Sequence, residues 1–544
     1  MPDLSRRRLI QRTAVSAAAA PLVLGLAACI QEDGEPDAPD DTPVPTPPED
    51  PTSRRPLIHL TPHTGWIGDP QRPVQRDGVV HLYGLHHAEE AAPGPTAWAH
   101  WTSTDLVTFT HEGTALEGED GPDVWSGSAV IDEHGTAGLG DGAVVALATR
   151  PTDGRAELQE QYLAVSEDAV DFRLEPDPVL PNPDGPTAHS EEEIAQASWF
   201  RDPKLLRDED RDQWVCAIGR DHRVALWTSP DLRSWEPRED FAYLDLADDL
   251  PDLGGVECPD LFTLIADDGT AHWVLGASLD GNAEGEPTNY AYWVGTWDGD
   301  RFTPEYPAPR WLDRGWDWYA AVTWPSAEDP EHVRHATGWM NNWAYAREAS
   351  ATAESDGYDG QYSLVREVRL VRDDDGALTL VSAPVPALAE AAHATRDLDD
   401  VEVDGEVELG ELGRAYALEL DLEWSEAAGA AVTVLGAADG SRGTRISLGD
   451  GALTVDRSGS PIARDAEDGD ESFAGLTSAS APIDPAARTA HLHLVVDTQS
   501  VEVFLDDGRS TLSLTVHPSP GEETVRLHSA DGVVRCSGIQ VREF

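Results

Sequence analysis

A strand followed by a tight turn recurs at a fixed interval, and this repeat constrains the fold more than any other feature of the chain. Residues 103–109 (STDLVTF) return as 166–172 (SEDAVDF) and 229–235 (SPDLRSW), 63 residues apart in both intervals. Each copy follows a strand-like run, and a weaker fourth copy ends at Phe302. Short strands at a fixed period are typical of β-propeller blades. We expect five blades over residues 57–388.

The sequence changes character on either side of this region. Residues 395–544 contain evenly spaced, alternating strand-like runs such as YALELDLEW and SVEVFLDD, which predict an antiparallel β-sandwich. Residues 30–56 are acidic and Pro-rich and cannot bury enough apolar surface to fold, so we expect a disordered tether. The predicted fold class is therefore all-β, a five-bladed propeller followed by a C-terminal sandwich.

Residues 1–29 are interpreted as an export signal. Ser5-Arg6-Arg7-Arg8 is a twin-arginine motif, and a short apolar run from Ala14 to Leu26 follows it. The run ends in LAAC, which resembles a lipobox with Cys29 as the lipidated residue. We expect Tat export and a lipid anchor on the outer face of the cell membrane. The alternative is a simple secretory peptide in which Cys29 has no role.

Charge and cysteine usage exclude several classes of function. The formal net charge of −63 disfavours nucleic acid and anionic lipid as partners, whereas a neutral sugar is indifferent to it. Lys204 is the only lysine, so the basic residues are otherwise arginine. The remaining cysteines (Cys216, Cys258 and Cys536) form no disulfide framework and show no zinc spacing. With no phosphate-binding loop either, we expect neither a metal nor a cofactor.

Three acidic motifs lie where the first strand of a blade should run. They contain Asp69 (WIGDP), Asp202 (FRDP) and Glu257 (VECPD), each with a proline nearby. A propeller gathers the first strands of its blades around one funnel, so residues distant in sequence converge there. Carboxyl groups held together acquire different pKa values, as glycosidic cleavage requires of its nucleophile and its acid.

At these residues the chain resembles glycoside hydrolase family 32, the invertase, levanase and inulinase family. Residues 59–70 resemble the family's nucleophile motif, 200–203 its Arg-Asp-Pro motif and 257–260 its Glu-Cys motif. Further matches follow in order along the chain: 125–128 (WSGS), 317–320 (DWYA), 338–343 (GWMNNW) and, in the second domain, 500–504 (SVEVF). The resemblance covers the chain from about His59 to the end.

The resemblance implies three catalytic roles. Asp69 would be the nucleophile that forms a covalent fructosyl-enzyme, and Glu257 would be the acid and then the base. Asp202 would stabilise the transition state, with Arg201 nearby. Such a mechanism retains configuration, and retaining enzymes hold the two carboxyl groups roughly 5–5.5 Å apart.

Departures from the family pattern bear on the substrate. Gly68 replaces the usual Asn before the nucleophile, Gln71-Arg72 replace Asn-Gly, and Leu85 replaces a Gln in the next strand. The DPQRP version resembles a subgroup with levanases and levan fructotransferases, so β-2,6-linked fructan is favoured over inulin or sucrose. The predicted substrate-binding residues are Trp66, Gln71, Arg72, Trp125, Ser126, Arg201, Asp317 and Trp339.

Several functional hypotheses stay open at this point. The first is a hydrolase that acts on levan or a related fructan, in endo or exo fashion. The second is a levan fructotransferase with the same site. The third is a surface fructan-binding lipoprotein without activity. Gly68 and Leu85 favour this hypothesis, and the presence of all three acids opposes it. The fourth is a different glycosidase of propeller fold.

Overall fold

The repeated turn joins the third and fourth strands of each of the first three blades. In the first copy the Ser103 hydroxyl donates to Oδ1 of Asp105 (3.1 Å), which in turn accepts the backbone N–H groups of Val107 and Thr108. The second and third copies repeat these bonds. The residue after each aspartate has a left-handed backbone: Leu106 (φ 66°), Ala169 (φ 70°) and Leu232 (φ 60°). The period in the sequence therefore reflects one turn built in the same way.

In its described residues the propeller contains 23 strands and two short α-helices. The strands are β1 (Gly65–Arg76), β2 (Val79–His87), β3 (Ala97–Ser103), β4 (Thr110–Leu116), β5 (Gly127–Asp132), β6 (Ala143–Thr152), β7 (Arg155–Ser166), β8 (Arg173–Leu180), β9 (Arg201–Asp208), β10 (Gln213–Arg220), β11 (Arg223–Ser229), β12 (Glu236–Pro237), β13 (Phe241–Ala242), β14 (Glu257–Ile265), β15 (Ala271–Asp280), β16 (Thr288–Trp297), β17 (Phe302–Pro304), β18 (Arg310–Trp311), β19 (Tyr319–Pro325), β20 (Arg334–Trp339), β21 (Tyr358–Asp359), β22 (Arg366–Arg372) and β23 (Leu378–Pro384). The helices are α1 (Glu191–Ala197) and α2 (Ala351–Ser355).

These strands form five antiparallel blades, each beginning with its innermost strand. Blades 1 and 2 are β1–β4 and β5–β8, and blades 3 and 4 begin at β9 and β14. Blade 5 has the order β19-β20-β22-β23. The first strands contact one another in a closed ring, β1 to β5, β9, β14, β19 and back to β1. This ring surrounds the propeller axis.

The second domain is a sandwich, reached through α3 (Ala387–Ala391), with eleven strands among the residues that the structure describes. Its strands are β24 (Ala394–Asp397), β25 (Val401–Glu411), β26 (Tyr416–Glu423), β27 (Gly429–Gly436), β28 (Thr444–Gly449), β29 (Ala452–Asp456), β30 (Ser478–Pro482), β31 (Thr489–Asp497), β32 (Ser500–Leu505), β33 (Ser510–Thr515) and β34 (Thr524–Glu543). The predicted fold class is thus confirmed. β34 differs from the even spacing expected, because Asp531 and Gly532 bend one long strand rather than end it.

Buried ion pairs connect the two domains. The Arg366 guanidinium of the propeller lies between Asp313 (2.9 Å) and Glu502 of the sandwich, and all three side chains are fully buried. His59 bridges Glu502 and Asp497, 2.9 Å from each. Burial lowers the pKa of His59, but hydrogen bonds and the charges of Asp497 and Glu502 outweigh burial and raise it to about 9. His59 therefore carries a positive charge at neutral pH.

The computed structural model describes residues 53–118, 121, 123–152, 155–347, 350–373, 375–425, 427–460 and 476–544, all within one unit, Val44–Phe544. The predicted signal, Cys29 and most of the tether lie outside the described residues. Of the helices in the described ranges, none has the length and apolar character needed to cross a bilayer.

Candidate active site

Three innermost strands bring the three predicted acids together around Cys258. Asp69 lies on β1, Asp202 on β9 and Glu257 on β14, directly before Cys258. The thiol of Cys258 is 3.8 Å from Oδ2 of Asp69 and 3.8 Å from Oδ2 of Asp202. Its backbone N–H donates to Oδ2 of Asp202 at 3.0 Å. Residues from three blades thus converge on one point of the funnel.

An irregularity in each strand aims these side chains into the funnel. The pairing registers of β1, β9, β14 and β19 with their neighbours all shift near the start of the strand. The second residue of three of these strands has a left-handed backbone: Asp202 (φ 62°), Cys258 (φ 44°) and Ala320 (φ 51°). Non-glycine residues adopt this conformation at an energetic cost, which is concentrated at functional sites. The same bend therefore recurs in blades 3, 4 and 5.

The Asp69 carboxyl group is held by blade 2. The Ser126 hydroxyl donates to its Oδ2 at 2.5 Å. The Gln71 side chain donates to the Asp69 carbonyl (2.8 Å) and accepts from the N–H of Gly127 (2.5 Å), which fixes the backbone of both strands. Burial, and next the negative charge of Asp202, raise the pKa of Asp69 to about 7, although the bond from Ser126 opposes this shift.

Asp202 is held through its backbone and through Cys258. Its N–H donates to the Thr149 hydroxyl at 2.9 Å, and Thr149 donates to Oε1 of Gln161 at 3.0 Å. Burial raises the pKa of Asp202, while Arg201 opposes the shift. Because Asp69 and Asp202 lie together in a buried site, ionising both is unfavourable.

Glu257 has a donor on each carboxylate oxygen. Arg201 donates from Nη2 to Oε1 at 2.6 Å, and the Tyr319 hydroxyl donates to Oε2 at 2.6 Å. Arg201 in turn lies over the Trp199 ring, 3.9 Å from its centroid. Arg201 and Glu257 keep a fifth or less of their side-chain surface exposed, so the carboxyl group borders the open funnel.

Tyr319, Trp199, Thr149 and Gln161 are parts of the site that the sequence interpretation missed. Tyr319 belongs to the matched motif 317–320, of which only Asp317 was predicted to bind substrate. Trp199 immediately precedes the matched motif 200–203. Proximity to these motifs was the signal that could have found both residues.

Two of the predicted substrate-binding aromatic residues are buried in the structure. Trp66 is 2% exposed and Trp339 is 0% exposed, and their rings pack edge to face with centroids 5.6 Å apart. The Trp66 ring also fills the space beside Gly68, where an added Cβ would lie 2.3 Å from Trp66 Cη2. Gly68 is therefore required by the packing of Trp66, and neither ring offers a face to a sugar.

Three of the predicted polar substrate-binding residues are bonded to protein groups in the structure. The Asp317 carboxylate is fully buried at the domain interface, where it pairs with Arg457 (2.6 Å) and accepts the N–H of Thr515 (2.8 Å). Arg72 donates to the carbonyl of Leu205 on β9. Gln71 is buried and bonded to backbone, as described above. The Asp317 carboxylate is thus occupied by protein groups, and Arg72 is bonded to the protein through Nη1.

Trp125, Ser126 and Arg201 are the predicted substrate-binding residues that lie beside the acid cluster. Trp125 is half-buried, and its carbonyl accepts a hydrogen bond from Trp98 Nε1 (2.9 Å). No group of His, Cys, Asp and Glu within the described ranges has the arrangement of a metal site. The funnel presents two buried carboxyl groups with raised pKa values, Asp69 and Asp202, and a third, Glu257, held by Arg201 and Tyr319.

Comparison with known proteins covers both domains of the chain. Residues 59–384 match the N-terminal domain of glycosyl hydrolases family 32, and residues 387–543 match the C-terminal domain of that family. The chain is 35% identical over 497 residues to a levanbiose-producing levanase of Bacillus subtilis (strain 168), a match that covers 90% of this chain and 91% of that protein.

A second relative is a levanbiose-producing levanase of Geobacillus stearothermophilus, 38% identical over 371 residues, with 67% of this chain and 88% of that protein covered. Among solved structures, the exo-inulinase from Aspergillus awamori superposes with a TM-score of 0.77 at 25% identity, covering 90% of this chain and 98% of that one. The chain therefore belongs to glycosyl hydrolase family 32.

Proposed function

We propose that this glycosidase hydrolyses β-2,6-linked fructan by a retaining mechanism. As a family 32 member the chain is a glycosidase that acts on fructosides. The observation that carries the proposal is the convergence of Asp69, Asp202 and Glu257 on Cys258, each with a different set of partners. Different partners allow three carboxyl groups to take three roles.

The first step forms a fructosyl-enzyme. An Oδ atom of Asp69 attacks C2 of the fructosyl unit while the bond from C2 to the leaving oxygen breaks. Glu257 gives its proton to that oxygen. In the second step Glu257 takes a proton from water, whose oxygen attacks C2 and releases the Asp69 carboxylate. Asp202 accepts hydrogen bonds from the sugar hydroxyl groups in the transition state.

Levan as the substrate is supported by two observations. The two relatives described above are named levanbiose-producing levanases. The DPQRP segment at residues 69–73 resembles the levanase and levan fructotransferase subgroup. In the structure Gln71 donates a hydrogen bond to the Asp69 carbonyl, and Arg72 donates one to the Leu205 carbonyl on β9. Both residues of this segment therefore have a structural role next to Asp69.

Product analysis tests the proposal. The purified protein and its Asp69→Ala variant are incubated with levan, inulin and sucrose, and the products are separated by chromatography. We expect fructose or levan oligomers from levan, little from the other substrates, and no product with the variant. Proton NMR of the first turnovers should show the β-anomer, as retention requires. Cyclic difructose products would instead indicate a fructotransferase, and binding without turnover would indicate a fructan-binding protein.

We also propose that the protein is exported by the Tat pathway and anchored through a lipid on Cys29. The proposal rests on the twin-arginine motif and the LAAC segment. Metabolic labelling with a radioactive fatty acid tests it in the native host: the full chain should carry label in the membrane fraction, and Cys29→Ser should lose it. Label that persists in Cys29→Ser would contradict the proposal.

A further inference from the structure

A second group of charged residues lies on the same three strands as the catalytic acids. Arg72 follows Asp69 by three residues on β1, Lys204 follows Asp202 by two on β9, and Asp260 follows Glu257 by three on β14. Arg334, at the start of β20, completes the group. We call Arg72, Lys204, Asp260 and Arg334 the axial cluster.

Three of the four members share one threonine. Lys204 Nζ is 2.8 Å from Oδ1 of Asp260 and donates to the carbonyl of Thr323 at 3.2 Å. The Thr323 hydroxyl donates to Oδ2 of Asp260 (2.6 Å) and accepts from Nε of Arg334 (2.8 Å). Asp260 is thus the single carboxylate that holds this group together.

The positive charge in the axial cluster exceeds the negative charge. With the Lys204 ammonium included, three cations face one carboxylate. Lys204, Asp260 and Arg334 are at most 5% exposed. Burial lowers the pKa of Lys204 to about 7 and that of Arg334 to about 10, and in both cases the attraction of Asp260 opposes the shift. The neighbouring cations lower both values further, since each residue repels Arg72 and Lys204 also repels Arg334.

Hydrogen-bond donors of the two arginines point to a missing partner of negative charge. The Nε of Arg72 is buried and has no hydrogen-bond partner. Within the described residues, Arg334 hydrogen-bonds through Nε alone, so its terminal nitrogens have no protein acceptor. A buried donor without an acceptor, as at Nε of Arg72, is unfavourable, and so are buried charges without counter-charges.

We propose that the axial cluster binds one small monovalent inorganic anion, of which chloride is the abundant example, between Arg72, Lys204 and Arg334. A monovalent ion offsets the charge excess and accepts from the free arginine donors. A dianion such as sulfate would have to shed more hydration and would be repelled by Asp260. On a chain of net charge −63, binding elsewhere on the surface is disfavoured. This inference does not depend on the proposed reaction.

The unique lysine gives a direct test. Protein labelled with [13Cε]lysine yields one side-chain signal, from Lys204, whose chemical shift against pH reports the pKa of its ammonium group. The titratable or charged groups that act on it are Asp260, Arg72 and Arg334, and Tyr290 in turn interacts with Asp260 and Arg334. Titration with sodium chloride, compared with sodium sulfate at equal ionic strength, should raise the Lys204 pKa saturably by about one unit or more.

Two variants and one diffraction experiment complete the test. Arg334→Met should abolish the saturable response to chloride, whereas Arg369→Met, an exposed arginine on β22, should preserve it. If Arg334→Met fails to fold, Arg72→Gln serves in its place. Crystals soaked in bromide should show an anomalous peak among Arg72, Lys204 and Arg334. Identical lysine titrations in chloride and sulfate, or bromide peaks only elsewhere, would overturn the proposal.

Discussion

The Tyr319 hydroxyl donates a 2.6 Å hydrogen bond to Oε2 of Glu257, from a position that is itself almost completely buried. Tyr319 is the first residue of β19 in blade 5, whereas Glu257 lies on β14 in blade 4. The hydrogen bond therefore joins two blades. Together with Arg201 on Oε1, this bond fixes the plane of the carboxyl group. The orientation of the proposed general acid thus depends on two neighbouring blades.

Tyr319→Phe should therefore lower kcat on levan roughly 10- to 100-fold, the loss that corresponds to one hydrogen bond to a charged group. On p-nitrophenyl β-fructofuranoside, whose leaving group needs little protonation, the loss should be smaller. Steady-state kinetics on both substrates measures the difference. Equal losses on the two substrates would indicate a general structural defect instead of a misplaced acid.

Asp69→Asn should abolish turnover and raise thermal stability at pH 8. The folded pKa of Asp69, about 7, lies above its unfolded value, so folding favours the protonated form. Stability from this group is complete below pH 4 and is lost as pH rises through 7. Asparagine cannot ionise, so the variant does not lose this stability as the pH rises. Thermal unfolding should show a Tm increase of at least about 2 °C at pH 8 and little change at pH 4. The exposed control Asp249→Asn should not reproduce this dependence.

Ser126→Ala should move the acidic limb of the kcat/KM profile to higher pH. The Ser126 hydroxyl bonds the Asp69 carboxylate and lowers its pKa, so removal of the hydroxyl lets that pKa rise. A nucleophile must be ionised, and kcat/KM should fall as pH decreases through the Asp69 pKa. Rates on levan from pH 5 to 9 measure the limb. Ser234→Ala, which removes an exposed serine–aspartate bond in a blade turn, is the control. An unchanged limb in Ser126→Ala would argue against Asp69 as the titrating group.

Trp199→Leu should lower kcat/KM about 2- to 30-fold, because the guanidinium of Arg201 loses the aromatic ring beneath it. If the ring acts through Arg201, kcat falls. A change in KM alone would mean that Trp199 contacts the substrate. Gly255→Ala offers an independent route, since its Cβ would lie 2.5 Å from Trp199 Cζ3 and displace the ring.

Arg366→Met should destabilise the protein by about 3–5 kcal/mol, because it leaves the buried carboxylates of Asp313 and Glu502 without their main counter-charge. Denaturant unfolding followed by tryptophan fluorescence measures the loss. The exposed pair of Arg369 and Glu367 provides the control, and Arg369→Met should change stability by less than about 1 kcal/mol. Similar losses in both variants would contradict the role of the buried network.

The sequence predicted the blades because a turn with Ser and Asp at fixed positions is local. Its hydrogen bonds join residues two or three apart, as in Ser103 and Asp105, and therefore leave a readable period. The three acids, which the structure brings together, were singled out because proline and acid recur at the start of the inner strands. Their assignment to one site came from the family resemblance and from the topology together.

The contacts that the sequence could not reveal depend on backbone bends and on distant partners. Asp317 and Tyr319 are two residues apart, yet one is bonded to Arg457 of the sandwich and the other to Glu257. Ala320, the next residue, has a left-handed backbone. A glycine there would have indicated this bend in the sequence, but an alanine does not. Trp66 was likewise predicted to contact a sugar, and the sequence alone could not show that its ring packs against Gly68.

The single lysine has a consequence for the surface of the protein. Reducing sugars such as fructose condense with exposed lysine amines and slowly brown and cross-link the proteins that carry them. Here Lys204 is 4% exposed and engaged with Asp260, and the outer cationic side chains are arginine or histidine. A fructan-degrading enzyme of this composition offers its own products no side-chain amine with which to react, and should resist glycation in concentrated syrup.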